Sequence, residues 1–447
     1  MTGSLPVARP GLRVSDQSEL PEFHRLHPLT PLIRGWKVFA AAVAIFAQQA
    51  YGSIGVVPLL IGAAASIPIG GAYGYLSWRS THYQIVSGDL RLDTGVLRKR
   101  SRRVRLDRLQ TVDVVRPLVG RVLGLAELRL EVAGGAKSEA PLSYLSEKKA
   151  QQLRAELLAR AAGLHHETPE APEAVLYELQ LSTLIESLVR SVGLIVGVIA
   201  VVAVLALSIW QHTWAVLGVT VPALIGFGTA VSHGVGAQFG FTVAESPDGL
   251  RLRHGLLETR AQTVPPGRVQ AVRIVEPLMW RPRGWLRVEV DIAGYGGEGQ
   301  KMSSVLCPVA PRDQAMAILS RVLPGLDIDA VPLVAAPRNA RWLDPFGWRF
   351  LGVGANDRVL VTRRGRLIRV TDVVLHEKVQ SVRLTQGLVQ RRLGLASLHL
   401  DTTPGPVDAK VEHRMAGEAR ALLDAEVERA RIARAAAAPD RWMAPHE

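Results

Sequence analysis

The sequence predicts a membrane protein of mixed class: α-helical transmembrane hairpins joined to β-rich (α+β) domains, each a run of short antiparallel strands closed by a C-terminal helix. Three observations predict it. One sequence skeleton occurs three times without gaps. Two long stretches carry no Asp, Glu, Lys or Arg. Each copy of the skeleton alternates apolar and polar residues and is followed by a helical apolar stripe, the periods of a half-buried strand and an amphipathic helix.

The skeleton spans residues 95–124 (GVLRKRSRRVRLDRLQTVDVVRPLVGRVLG) and returns at 255–284 and 365–394, offsets of 160 and 110 residues. Gly95, Gly255 and Gly365 align, as do Gln110, Gln270 and Gln380. Leu118, Leu278 and Leu388 follow, then Arg121, Arg281 and Arg391, and last Gly124, Gly284 and Gly394. Similarity at fixed offsets means copies of one unit. Leu90 and Leu92 alternate with Arg91 and Asp93, and Asp93-Thr94-Gly95 reads as a hairpin turn in which glycine supplies a positive φ. The short turn LVGRVLG is stopped by Gly124. Ala150, Leu153, Leu157 and Ala161 keep helical spacing behind Ser146, which gives the unit its closing helix.

The unequal offsets locate the membrane segments. About 50 residues separate them, close to what two crossings of about 20 residues each and a turn need. Residues 38–78 are free of Asp, Glu, Lys and Arg, with Gly52-Ser53 as the turn and Trp36-Lys37 and Trp78-Arg79 at the ends. Residues 191–244 are likewise uncharged and divide at Trp210-Gln-His-Thr-Trp214. Tryptophan suits the headgroup layer, and flanking cations mark the cytoplasmic side. Neither hairpin turn carries Lys or Arg, so every basic segment falls on one side. Residues 326–345 are a Pro- and Ala-rich linker with no apolar run, yet Trp348-Arg349 keeps the offset that Trp78-Arg79 has in the first copy.

The expected organisation is a disordered cytoplasmic tail (1–35), hairpin 1 (36–78), domain 1 (79–163), a linker with an amphipathic helix (164–190) and hairpin 2 (191–236). Domain 2 (237–325), the linker (326–345), domain 3 (346–431) and a tail (432–447) follow. The chain has 447 residues and a net charge of +13, which draws it to anionic partners, either a membrane face or nucleic acid. Cys307 is the sole cysteine, which excludes a disulfide within the chain and a cysteine-based zinc site.

Catalytic constellations are sparse. The sequence holds no P-loop, HExxH, GxSxG or EF-hand pattern. Asp327 and Asp329 read as solvated acids of a linker, Gly234, Gly236 and Gly240 as close packing at a helix end, and His376-Glu377 as a surface pair. No catalytic residue, metal site or cofactor is expected. The one dense local signal is basic: Arg98, Lys99, Arg100, Arg102, Arg103 and Arg105, just beyond hairpin 1. Two readings stand for it: contact with anionic lipid headgroups, or a charged strand edge that discourages aggregation. The second copy has Glu258 and a single Arg260 in the matching stretch.

With Arg108-Leu109-Gln110-Thr111-Val112, Leu118, Arg121 and Gly124, and the matching residues of the other two copies, the chain resembles bacterial membrane proteins with type-2 bacterial pleckstrin-homology (PH) domains, the YdbS/YdbT-like group. The resemblance covers about residues 36–431. It implies three PH-like domains, each a bent antiparallel sheet capped by a C-terminal helix, and it brings no catalytic residues. With the basic segments all on one side, which the positive-inside rule makes cytoplasmic, the expected protein is a non-enzymatic multi-pass protein of the inner membrane, with its domains and both termini cytoplasmic. Such a protein would assemble partner proteins or itself at the bilayer, in envelope stress or resistance. A transporter or membrane-embedded enzyme is the first alternative. It would need ionisable residues inside the hairpins, where only Gln48, Gln49, hydroxyls and a terminal His233 occur. Nucleic-acid binding is the second, weakened by the lack of any recognised motif.

Overall fold

A computed structural model describes residues 24–25, 78–86, 89–95, 99–105, 109–132, 140–161, 174–211, 234–246, 249–264, 266–293 and 304–437, with scattered positions in 68–76 and 226–232. The chain divides into two compact units, Met1–Arg105 and Leu106–Glu447.

The first unit holds a four-stranded antiparallel sheet of β1 (His24–Arg25), β2 (His82–Val86), β3 (Asp89–Thr94) and β4 (Arg100–Arg105), in that order. The alternation read from the sequence places Leu90, Leu92 and Val104 inside. The tail expected over 1–35 therefore contributes a strand: His24 pairs with Tyr83 and Arg25 with His82.

The second unit holds three sheets. The first runs β7 (Ala140–Ser146), β6 (Leu125–Val132), β5 (Leu109–Pro117), β11 (Glu258–Val264), β10 (Gly249–His254), β9 (Thr242–Ser246), β8 (Ala174–Glu178). The next runs β14 (Val305–Pro311), β13 (Trp285–Ile292), β12 (Val269–Pro277), β18 (Ile368–Leu375), β17 (Val359–Arg364), β16 (Gly352–Ala355), β15 (Val334–Ala335). The last is β19 (Ser381–Thr385), β20 (Leu395–Asp401) and β21 (Ala409–Met415). The helices are α1 (Leu118–Val122), α2 (Glu147–Ala161), α3 (Leu181–Val189), α4 (Val192–Gln211), α5 (Arg312–Val322), α6 (Leu388–Leu393) and α7 (Ala416–Ala436).

Sheets and sequence repeats are thus out of phase. The second half of one repeat pairs with the first half of the next, β5 with β11 and β12 with β18. Both junctions keep one register. Glu258 lies opposite Pro117, and the residues one repeat later, Ile368 and Pro277, lie opposite each other. The core of repeat 2 is built from β10, β12, β13, β14 and α5, with Leu252, Val272, Val288, Leu306 and Ile318 buried together. The core of repeat 3 forms under α7 from Leu398, Val411, Ala419 and Ala430. The sheet between them is buried on both faces. Val359, Val361 and Val373 face one core, and Leu360 and Val374 face the other. A strand with two apolar faces reads as a continuous apolar run, as VLVT and DVVL do.

Both stretches expected as linkers carry structure. Residues 174–178 form the edge strand β8 because Tyr177 buries its ring and donates its hydroxyl to the Val309 carbonyl. Among the described residues of the expected amphipathic stretch, Leu181–Val189 is helical. Its Leu184 turns inward, while Leu181, Ile185 and Val189 form an exposed stripe. In 326–345, Ile328 and Val331 are buried, Val334–Ala335 forms β15, and Arg338–Trp342 is a 3-10 helix. Most of hairpin 1, and residues 212–225 of hairpin 2, lie outside the described residues. Among the described residues no single helix is long and apolar enough to cross a membrane. Leu181–Val189 and Val192–Leu207, bent by 57° at their break, reach that length and composition together.

Glycine is required at the hairpin tips. Gly95, Gly255 and Gly365 have φ of 115°, 111° and 86°. A Cβ on Gly365 would lie 2.0 Å from the Ile368 carbonyl oxygen. We expect Gly365→Val to lower the unfolding temperature of the full chain clearly, since both φ and space forbid the side chain. Gly387→Val, where φ is −75° and the nearest atom to an added Cβ is 3.8 Å away, is expected to lower it far less. Equal losses in differential scanning would remove the turn from this role.

Candidate functional site

The basic cluster lies at the edge of the first unit. Among the described residues β4 is the last strand of its sheet. Strand geometry divides the cluster, because successive side chains point to opposite faces. Arg103 and Arg105 share one face, while Arg102 shares the other with buried Val104. Arg103 pairs with Asp89 at 3.2 Å. Lys99, Arg102 and Arg105 are exposed, and Arg98 lies outside the described residues. Among the described residues the cations of the cluster therefore do not form one flat patch.

The repeat signature lies at the junctions. The closing glycines Gly124, Gly284 and Gly394 are left-handed, with φ of 66°, 63° and 69°. Each ends the turn that carries the signature arginine. Arg121 donates to the Thr259 hydroxyl at 3.2 Å, and Arg281 to the Arg366 carbonyl at 2.8 Å. Leu278 N donates to the Leu367 carbonyl at 2.7 Å. In both cases the acceptor belongs to the β-hairpin of the next repeat. The Leu-x-x-Arg-x-x-Gly turn is a docking piece between repeats. In repeat 3 the matching Leu388 and Val389 are exposed, Leu388 at 83 %. Arg391 there is exposed as well. Gln270 is buried and its Nε2 donates to the Arg268 carbonyl at 3.4 Å, whereas Gln380 is exposed and its backbone N–H donates to the Asp401 carbonyl. Gln110 is in β5, and its side chain lies outside the described residues.

Charge is buried where repeats 2 and 3 meet. Arg273 on β12 donates to Asp372 on β18 through Nε and an Nη, at 2.6 and 3.2 Å. Arg364 adds a third bond to Asp372 at 2.8 Å. Beside them Asp291 on β13, fully buried, accepts the Val407 N–H at 3.0 Å and the Thr402 hydroxyl at 3.2 Å. Gly405 packs on the Asp291 carboxyl so closely that a Cβ would fall 2.0 Å from Oδ1. Asp291 thus holds the β20–β21 loop of repeat 3 onto repeat 2. No motif marks it in the sequence, where it continues the polar alternation of Arg287 and Glu289 along β13 and reads as one more solvated residue.

The other candidates resolve as structure. His376 is not a surface residue. It is fully buried, its Nδ1 2.7 Å from Glu426 of α7 and its Nε2 2.9 Å from the Asn356 carbonyl, so it pins the closing helix to the sheet. Asp327 caps a turn by accepting the Asp329 and Ala330 N–H groups, and Asp329 pairs with Arg312 at 2.6 Å. Cys307 is buried, and burial pushes its thiol up to about 12, far from a reactive thiolate. Among the described residues no cluster of three His, Cys, Asp or Glu could hold a metal.

Burial pushes the Asp291 carboxyl up to about 7, against the lowering pull of its two hydrogen bonds and of Arg273. Its unfolded value is about 3.9. Between those values the folded protein holds a proton that the unfolded chain has lost, so this group's contribution to stability falls as pH rises from about 4 to about 7. We expect Asp291→Asn to match the native protein in urea midpoint near pH 4 and to exceed it increasingly up to pH 8. Parallel pH profiles would contradict this.

Comparison with known proteins agrees with this geometry. The bacterial PH domain family matches residues 38–161, 183–326 and 330–429. A relative, the UPF0699 transmembrane protein YdbT of Bacillus subtilis (strain 168), is 26 % identical over 272 residues, 54 % of this chain and 55 % of the relative. The chain thus spans about half the length of the curated relative it matches. With three matched segments that coincide with the three repeats, the chain belongs to the bacterial PH domain family.

Proposed function

We propose that this is a non-enzymatic, multi-pass protein of the inner membrane that uses its PH-like repeats to assemble proteins, a second copy among them, at the cytoplasmic surface. The uncharged runs 38–78 and 191–244 support the membrane part, the first with Trp36-Lys37 and Trp78-Arg79 at its ends and the second with Trp210 and Trp214 at its turn. The bent apolar pair at 181–207 and the relative's name as a transmembrane protein add to it. Lys99, Arg100, Arg102, Arg103 and Arg105 suit anionic headgroups at that surface, at about 1 kcal/mol each near the leaflet and less in salt.

One observation carries the assembly reading. Within the chain, repeats join by pairing the first strand of a second half-sheet with the last strand of the following first half-sheet. Among the described residues β19 is a strand of the first kind that ends its sheet, and β4 is one of the second kind that ends its own. Strand addition at such an edge gains main-chain hydrogen bonds, with side chains setting specificity. The cations of β4 make uncontrolled pairing costly, so a partner must match them.

The test is site-specific photocrosslinking in native membranes. A photoreactive residue at exposed Thr385 on β19 is expected to give a discrete protein adduct, and one at exposed Arg420 on α7 none. Absence of any adduct at Thr385, Ser381 and Ser101 alike would remove assembly through these edges.

A further inference from the structure

The third repeat replaces a membrane hairpin with something much shorter at the same place. In repeat 2 the chain leaves β8, makes α3 and the uncharged run, and re-enters at β9. The base of that excursion is closed by a hydrogen bond from Leu179 N to the Phe241 carbonyl at 2.8 Å. In repeat 3 the chain leaves β15 and re-enters at β16, and the base is closed by Ala336 N to the Leu351 carbonyl at 3.1 Å. Leu351 lies one repeat offset after Phe241, and Ala335 pairs with Gly352 where Glu178 pairs with Thr242. The two connections, 180–240 and 337–350, therefore spring from one position in the fold.

The short connection is preformed. Ala336, Ala340 and Leu351 pack together with Trp348 beneath it. Asp344 accepts the Gly347 N–H at 2.7 Å, in a turn so close that a Cβ on Gly347 would fall 2.2 Å from the carboxylate. On this base Trp342 and Phe346 stand out, 68 % and 75 % exposed. Arg338, Arg341 and Arg349 flank them along the chain, all exposed. The Arg341 guanidinium sits 5.3 Å over the Trp342 ring, and Arg349 5.4 Å over Trp348. Large apolar side chains held out into water by a rigid turn cost hydration free energy that nothing within the fold recovers.

We propose that the Trp342–Phe346 turn is an interfacial anchor that inserts into the headgroup layer of the bilayer, with Arg338, Arg341 and Arg349 on lipid phosphates. Aromatic rings flanked by arginine have the chemistry of that layer: the ring takes the apolar boundary and guanidinium takes the anionic oxygens. The exposed stripe of Leu181, Ile185 and Val189, at the root of the longer connection in repeat 2, offers the same kind of surface. Repeat 3 then reaches the membrane without crossing it. The inference rests on the membrane reading of the uncharged runs.

The test uses the full chain in nanodiscs containing anionic lipid, with an environment-sensitive fluorophore on a single introduced cysteine. Cys307 is fully buried and does not compete. Phe346→Cys and, in a second protein, Trp342→Cys carry the probe, and Glu428→Cys on α7 is the exposed control. Val202→Cys, in the uncharged run, reports on the hairpin itself. Nitroxide on lipid headgroups is expected to quench the probe at 346 at least several-fold more than at 428, with aqueous iodide reversing that order. Quenching by iodide but not by lipid nitroxide at both 342 and 346, while acyl-chain nitroxide quenches 202, overturns the anchor and leaves the hairpin standing. Shielding from both quenchers at 342 and 346 assigns the turn to a protein contact and also overturns it. No lipid quenching at 202 overturns the membrane reading on which the anchor rests.

Discussion

The pairing of β12 with β18 is the constraint on which the second unit depends. It joins residues 271–277 to 368–374 across a repeat boundary, and both faces of the resulting wall are buried. Repeat 2 cannot close its core without strands from repeat 3, and repeat 3 hangs its own core on the same sheet. The pairing also fixes where the signature turn lands. In this register Leu278 and Arg281 reach the 365–367 hairpin, whose positive φ requires glycine. A repeat here is a unit of sequence, and the unit of packing is the junction between two of them.

Charge at the junction follows from the same pairing. Asp372 and Arg273 lie opposite each other, and Arg364 completes the set. Removing one member of such a buried pair strands its partner, a loss of about 3–5 kcal/mol. An ion pair of this sort adds little net stability over a well-packed apolar pair, but it penalises a slipped register. Asp113, Arg273 and Arg383 occupy one repeat position, and Arg102, Gln262 and Asp372 the position that faces it. No two copies share a residue pair there, so each junction matches its own partner. In the third repeat Arg383 turns instead to Asp401, at 2.7 and 2.8 Å.

Much of the fold was legible because local chemistry determines it. Gly95, Gly255 and Gly365 announce the hairpins, Leu90 and Leu92 the inward face, and Ala150 and Leu157 the buried side of the closing helix. The pairing between repeats was not legible, because alternation says which face of a strand is buried and nothing about which strand lies beside it. The same blindness hid β1, β8 and β15. They are short strands in stretches of tail or linker composition: β1 is His24-Arg25, with no apolar residue at all, and in β8 the buried Tyr177 is the main sign. His376 was misread as exposed because Glu426, its partner, lies 50 residues downstream on a different element. Arg121, Arg281 and Arg391 were visible as a repeated position, but the work of Arg121 and Arg281 lies in the next repeat and needs the structure to locate it. The uncharged runs were plain in composition alone, as was the shorter connection of repeat 3. The equivalence of its root with that of the longer excursion emerges only from the hydrogen bonds that close the two.

Amide hydrogen exchange on the full chain carrying Val373→Ala tests the shared wall most directly. Val373 sits in repeat 3, but its side chain belongs to the core under repeat 2. If the sheet is one cooperative unit, protection must fall together in β12, β13, β17 and β18, on both sides of the repeat boundary. Faster exchange confined to 352–401, with 269–292 unchanged, would mean that the repeats are independent domains and would contradict the account.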